Sequence, residues 1–404
     1  MAQADERASH VVIVSATRTA IGRFGGALSG ISAPELGAAV IAEALDRAGV
    51  TPDAVDEVLM GNVLQAGLGQ NPARQAAIRA GLPVNIGATT VNKVCGSGLK
   101  AAMLGAAMIR AGDAQIVVAG GMENMTRAPY LLPDARAGYR LGHGRLVDAM
   151  IHDGLRCAIE DQHMGEAAEW IAERADLSRE QLDAYALRSH QRAVAAAEQG
   201  RFDNEIVAIP IPQRNAAPIL FDADECPRSD TSMDQLNRLA PAFRPDGRVT
   251  AGNASSIADG AAAVALTSAQ RAEALGLTPL ARIVAYGQAA VEPKAIFTAP
   301  PIAIRRVLER AGLALHDIDL FEINEAFAAQ TLANIGALGL DEARVNVHGG
   351  AIALGHPIGA SGARVLVTLL HTLRARSGES AGLRGLAALC LGGGEAVAMI
   401  VETV

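Results

Sequence analysis

The sequence predicts an α/β fold made of two similar halves with a foreign segment between them, on three observations. Short β-branched apolar runs alternate with helical stretches rich in Ala and Leu. Landmarks in the first part of the chain recur near its end at an almost constant offset. The middle of the chain differs in texture from both ends. Its 404 residues suffice for two or three units of ordinary domain size, each with its own core.

In chain order, residues 11–14 read as a first buried strand and 33–48 as a first helix. Residues 99–110 read as helix and 116–118 as strand; 301–311 and 363–375 read as helices, and 387–391 and 396–401 as strands. Ala33-Pro34 recurs at Ala299-Pro300, Ala48-Gly49 recurs at Ala311-Gly312, and the loop ending at Gly98 answers the one ending at Gly362. A duplicated α/β unit follows from these matches. The segment 125–256 is dense in proline and charge, holds Trp170 and three of the four tyrosines, and contains a helical stretch expected to run from 166 to 199. It reads as an insertion able to cover a site and touch a substrate.

Half the residues are hydrophobic but only 3% are aromatic, so the core must be built from Ala, Val, Leu and Ile with many glycines. The formal charge of −8 is spread along the chain and no Lys/Arg run offers a phosphate track, which argues against nucleic acid. Cys95, Cys157, Cys226 and Cys390 lie far apart, with no C-x-x-C pair and no zinc-ligand spacing. Free thiols in a reducing compartment, the cytoplasm, and no metal are the expectation. The polar N-terminal stretch MAQADERASH does not resemble a leader, and no apolar run reaches the roughly 18 residues needed to span a bilayer.

Four motifs carry chemistry. In VCGSGLKA, Cys95 follows a β-branched stretch and precedes a helix, whose dipole and free N–H groups are expected to favour the thiolate. An isolated cysteine in such a turn is more often structural. In GGAIALGHPIGASGAR, His356 sits in a segment that reads as too glycine-rich for ordinary core, as if held in a fixed loop where it can take a proton from a thiol. A phosphate-binding loop is the competing reading. Cys390 ends a strand before three glycines, and Asn324 follows the strand-like 320–323, placed either to cap a helix or to present its amide at a strand end. No G-x-G-x-x-G follows the first strand, which argues against a dinucleotide site.

Together these motifs closely resemble the thiolases, in particular their biosynthetic-type acetyl-CoA acetyltransferase group. NEAF from Asn324, the His356 segment and C-x-G-G-G from Cys390 stand in that order downstream of the CGSG cysteine. The likeness extends through VVIVSATRTAIGRFGG, GQNPARQAA, VAGGMENM and TAGNASSIADGAAA over nearly the whole chain.

The resemblance implies a five-layered α/β/α/β/α arrangement of duplicated halves: residues 1–125 with 257–278, and 279–404, around an inserted loop domain at 126–256 that covers a coenzyme A channel. It implies Cys95 as nucleophile, His356 as its base, Cys390 as second acid/base, the N–H groups of Cys95 and Gly392 on one thioester oxygen, and His356 with an Asn324-held water on the other. Coenzyme A contacts carry over to His163, Met164, Arg228, Leu239, Phe243, Ala251 and Ser255, Met164 also narrowing the acyl pocket. The implied reaction is the reversible condensation of two acetyl-CoA to acetoacetyl-CoA, with acyl-CoA thioesters as substrates, no permanently bound cofactor, and a homo-oligomer, a dimer or dimer of dimers. A broader-chain 3-ketoacyl-CoA thiolase of fatty-acid degradation and a non-catalytic acyl-CoA carrier are the alternatives. Ile296, Gln235, His348, Glu395 and Ala396 depart from the branch's usual residues, and His348 is expected to be structural.

Overall fold

The computed structural model describes residues 10–378 and 381–404. The first nine residues, read above for a leader, lie outside them. Nine strands form the main sheet path: β1 (Val11–Thr19), β2 (Glu57–Gly61), β3 (Gly87–Val91), β4 (Ile116–Asn124), β5 (Ala258–Ser268), β6 (Ala281–Ala290), β7 (Leu320–Ile323), β8 (Arg384–Leu391) and β9 (Glu395–Thr403). Eight helices matter for the site: α1 (Ala33–Ala48), α2 (Pro72–Arg79), α3 (Ser97–Ala111), α4 (Met164–Arg174), α5 (Arg179–Glu198), α6 (Ala299–Ala311), α7 (Ala328–Leu338) and α8 (Ile358–Ser377).

The strand order is β7-β8-β9-β6-β1-β5-β4-β2-β3. Its pairings read almost the same from either end. The outer pairs β3–β2, β2–β4 and β7–β8 are parallel, and the inner pairs are antiparallel. The centre of this pattern is the antiparallel pair β1–β6, where Val12 faces Arg282 and Ile13 faces Ala281. Even the missing tenth strand has a trace, since Val345 bridges Phe321 of β7 in parallel. The repeat inferred from scattered Ala and Gly is therefore a structural repeat.

The halves stack as five layers. Helices α1 and α2 cover one outer face, where Val40, Ile41 and Ala76 pack on Val58, Met60 and Val118. Helix α6 covers the other, with Ile304 and Val307 against Leu386 and Ile400. Between the halves lie α3 and α8, whose Leu99, Ala102, Leu366 and Leu369 join Val264, Leu389 and Val397 in one core. The two helices meet at backbone distance: a Cβ on Gly98 would press on Ala363, and one on Gly362 would strike the Leu99 amide. The repeated Ala-Gly landmarks also have a local cause. Gly49 and Gly312 end α1 and α6 at φ 68° and 65°, a left-handed cap that costs glycine nothing.

Ser32 and Glu35 form a capping box at the start of α1. The middle segment corrects one expectation: the stretch 166–199 is two helices, not one. The chain turns at Asp176, with φ 50°, and Ser178 starts α5 by accepting the Gln181 N–H. Both helices lay Ala167, Ile171, Leu182 and Tyr185 against Ile323 and Phe327 of the C-terminal part. No described helix is long and apolar enough to cross a membrane.

Candidate active site

Cys95 sits between β3 and α3. Its neighbour Val94 has φ 46°, a left-handed conformation that a β-branched residue adopts only when its surroundings enforce it. Ser97 supplies part of that enforcement: its Oγ accepts the Lys93 N–H at 2.8 Å and donates to the Val94 carbonyl at 2.6 Å. Burial pushes the Cys95 thiol up to about 12, against the opposing pull of the Cys95 and Gly392 N–H groups, which both point at its sulfur; Glu123 adds to the rise. The expected helix-favoured thiolate is thus corrected. Gly96 is the N-cap, Cys95 stands before it, and desolvation outweighs the dipole.

His356 lies just before α8, buried. Its Nδ1 is 2.6 Å from Ser361 Oγ, while the Ser361 hydroxyl donates its single proton to the Pro357 carbonyl at 2.9 Å. Ser361 can then only accept, so Nδ1 carries the ring proton and Nε2 is left with the lone pair. Burial, and secondarily Arg364, holds this imidazole down to about 3. It is neutral at pH 7.

Nε2 faces the Asn324 amide nitrogen at 3.5 Å. Asn324 follows β7, anchored by its N–H to the Ala388 carbonyl, and its buried Oδ1 has no hydrogen-bond partner. It is not a helix cap, because α7 starts four residues later behind Phe327.

A second expectation fails at the same place. Residues 349–364 are buried throughout, so the glycine-rich segment is core after all. Gly350 and Gly359 pass against the carboxylates of Glu325 and Glu123, leaving no room for a side chain. Glu123 accepts N–H groups from Val63, Leu64 and Gly359 and the Asn62 amide, pinning the start of α8 to the N-terminal half. Burial pushes its carboxyl up to about 7, against the pull of those backbone donors. Cys390, near the end of β8, is buried, and desolvation with neighbouring Cys95 raises its thiol well above the ordinary range.

One cavity of about 290 Å³ gathers Cys95, His356, Cys390 and Gly392, with His163, Met164, Phe243 and Ser255 among its walls. Phe243 stacks on His163 at 4.9 Å, over Gly165, where any side chain would collide with the ring. A second pocket of about 230 Å³ is lined by Arg228, Leu239, Ala251 and Gln235, and Ser256 belongs to both walls. The residues named from sequence are therefore brought together, Asn324 through its contact with His356. His348 lies outside both walls, half-buried, with Phe202 edge-on at 6.1 Å.

Sequence reasoning missed Ser361, the apolar walls Phe297, Phe327 and Ile358, and His190, whose Nδ1 accepts the Arg228 N–H at 3.2 Å. Phe327 closes the NEAF motif and Ser361 lies within the His356 segment, so position in a motif was the available signal.

The same ground is covered by comparison with known proteins. The family model described as "Thiolase, N-terminal domain" matches residues 11–270, and "Thiolase, C-terminal domain" matches 277–403. The chain is similar to an acetyl-CoA acetyltransferase of Pseudomonas aeruginosa, 60% identical over 96% of this chain and 98% of that protein. It is similar to one of Cupriavidus necator at 56%, over 97% and 99%. The crystal structure of the Bacillus anthracis acetyl-CoA acetyltransferase superposes with a TM-score of 0.95 at 46% identity, covering 98% of this chain and 99% of that one. With both halves matched nearly end to end, and the two thiols and the imidazole meeting where those halves join, the chain belongs to the thiolase family.

Proposed function

We propose that this chain is an acetyl-CoA C-acetyltransferase, joining two acetyl-CoA into acetoacetyl-CoA and coenzyme A, and cleaving the product in reverse, through an acetyl thioester on Cys95. The observation that carries this reading is the convergence of a thiol, a neutral imidazole whose Nε2 holds the lone pair, and a second thiol in one apolar cavity.

A thiol at about 12 beside an imidazole at about 3 is an uncharged pair. Proton transfer to His356 therefore accompanies attack of Cys95 sulfur on the thioester carbonyl. The Cys95 and Gly392 N–H groups, which lie against the sulfur at rest, receive the oxyanion that forms beside it, and such a donor is worth about 100- to 1,000-fold in rate. Cys390 donates its proton to the departing coenzyme A sulfur. As thiolate it then removes a methyl proton from the second acetyl-CoA, and the resulting enolate attacks the acetyl group. Cys95 leaves as thiolate and regains its proton from His356, which closes the proton balance. His356 and the unpartnered Asn324 Oδ1, holding a water, serve the carbonyl of the second thioester.

We place the acyl end of the substrate by Met164 and the nucleotide end by Arg228, with His163, Phe243 and Ser255 between. Residues 126–256 serve as the covering loop domain between the halves 1–125 with 257–278 and 279–404. Four unpaired cysteines support a cytoplasmic, reducing setting. A homo-oligomer is tested by mass in solution. Incubation with acetyl-CoA adds one acetyl mass to the Cys95 peptide; a label confined to Cys157 or Cys226 overturns the assignment. A higher kcat/KM for a longer ketoacyl-CoA than for acetoacetyl-CoA overturns the short-chain reading.

A further inference from the structure

The two oxyanion donors come from different halves, and one ion pair bridges the loops that carry them. Lys93 is the last side chain before strained Val94 and Cys95. Glu395 is the first side chain after Gly392-Gly393-Gly394, opposite Leu391 across the β8–β9 hairpin. Lys93 Nζ lies 2.8 and 2.7 Å from the two Glu395 carboxylate oxygens.

The turn between β8 and β9 has no side chains of its own, and Gly393 and Gly394 have φ 85° and 87°. Its carbonyl at Gly394 accepts the Val291 N–H, which fixes the far end of the turn. The near end, at Gly392, abuts Val94, since a Cβ there would lie 3.1 Å from Val94 Cγ1. The ion pair joins the same two loops, linking the residue before Val94 to the residue that ends the glycine turn. With side chains 18% and 33% exposed, it adds little to global stability. Its contribution is geometric.

We propose that Lys93–Glu395 is a clamp that sets the spacing of the Cys95 and Gly392 N–H groups, making both side chains positioning residues for acyl transfer. This rests on the reading of Cys95 as nucleophile and of those N–H groups as oxyanion donors. Lys100, on α3, is the neighbouring cation that feels both members: burial, then Lys93, lowers its pKa and Glu395 partly restores it. Loss of Glu395 therefore leaves two lysines repelling each other beside the nucleophile loop.

The test measures the single-turnover rate of Cys95 acetylation by acetyl-CoA, with KM and melting temperature, in Glu395→Gln, Lys93→Met, their double variant and Lys93→Arg. Each neutral single variant acetylates about tenfold more slowly, a fraction of the loss of a whole donor. KM changes by less than about twofold, since the pair acts on the transition state. The double variant is no slower than the worse single, and Lys93→Arg, which keeps a cationic donor for the carboxylate, retains most of the rate. Wild-type rates in the singles, additive losses, or losses that track the melting temperature overturn the clamp. Failure of the wild-type protein to acetylate Cys95 overturns the proposed function instead.

Discussion

Cys95 and His356 are held uncharged by the same cause, removal from water, and this shapes their pH behaviour. A thiol at about 12 stays protonated through neutrality, so alkylation of Cys95 by iodoacetamide shows no plateau near pH 8.5; a plateau there overturns the assignment. The acid limb of kcat/KM likewise carries no His356 inflection near 6.5, because that ring takes a proton only towards pH 3. Ser361→Ala frees the Nδ1 proton and lets the ring adopt either tautomer. Activity falls about tenfold or more, out of the roughly 100- to 10,000-fold that a positioned base supplies, with KM unchanged. The four principal residues were legible because each stands in a motif of unusual composition. Ser361 was not, since its role arises only when the first turn of α8 forms and brings its hydroxyl to the His356 ring.

Helices and turns were legible where local chemistry agreed with hydrophobic pattern. The capped helix α1 was read to its ends, whereas the break before α5 was overlooked despite Ser178 and Gln181 standing at capping-box spacing. The apolar pattern on both sides outvoted a short signal. The glycine-rich segment misled for the opposite reason: glycine suggests a loop, but here it lets backbones and buried carboxylates approach. Gly165→Ala tests this at the cavity. The added methyl pushes Phe243 off His163, and KM for acetyl-CoA rises several-fold while the Cys95 acetylation rate at saturation holds. Gly362→Ala acts at the α3–α8 crossing, where overpacking costs about 1–3 kcal/mol or more, so the melting temperature falls and acetylation with it.

Across the whole molecule, the repeat was visible as a constant offset between landmarks, but the joining of two sheets through β1 and β6 was not, since strand order leaves no local mark. Buried charge links the fold to pH. Glu123 titrates at about 7 when folded and near 4.5 when unfolded, so its stabilising effect is full below pH 4.5 and lost as pH rises to 7. The melting-temperature advantage of wild type over Glu123→Gln is therefore larger at pH 4.5 than at pH 7.5; a constant difference overturns the shift. His356 works in the other direction, its depressed pKa eroding stability as pH falls from 6.5 towards 3.

The crossing of α3 and α8 sets a limit on how such a doubled chain can diverge. At Gly98 and at Gly362 the opposite helix leaves no room for a side chain, and one helix follows Cys95 while the other follows His356. The outer helices α1, α2 and α6, by contrast, pack on the sheet of their own half. At the crossing a change in one helix demands an answer from the other, so the two halves are sterically coupled beside the chemistry itself.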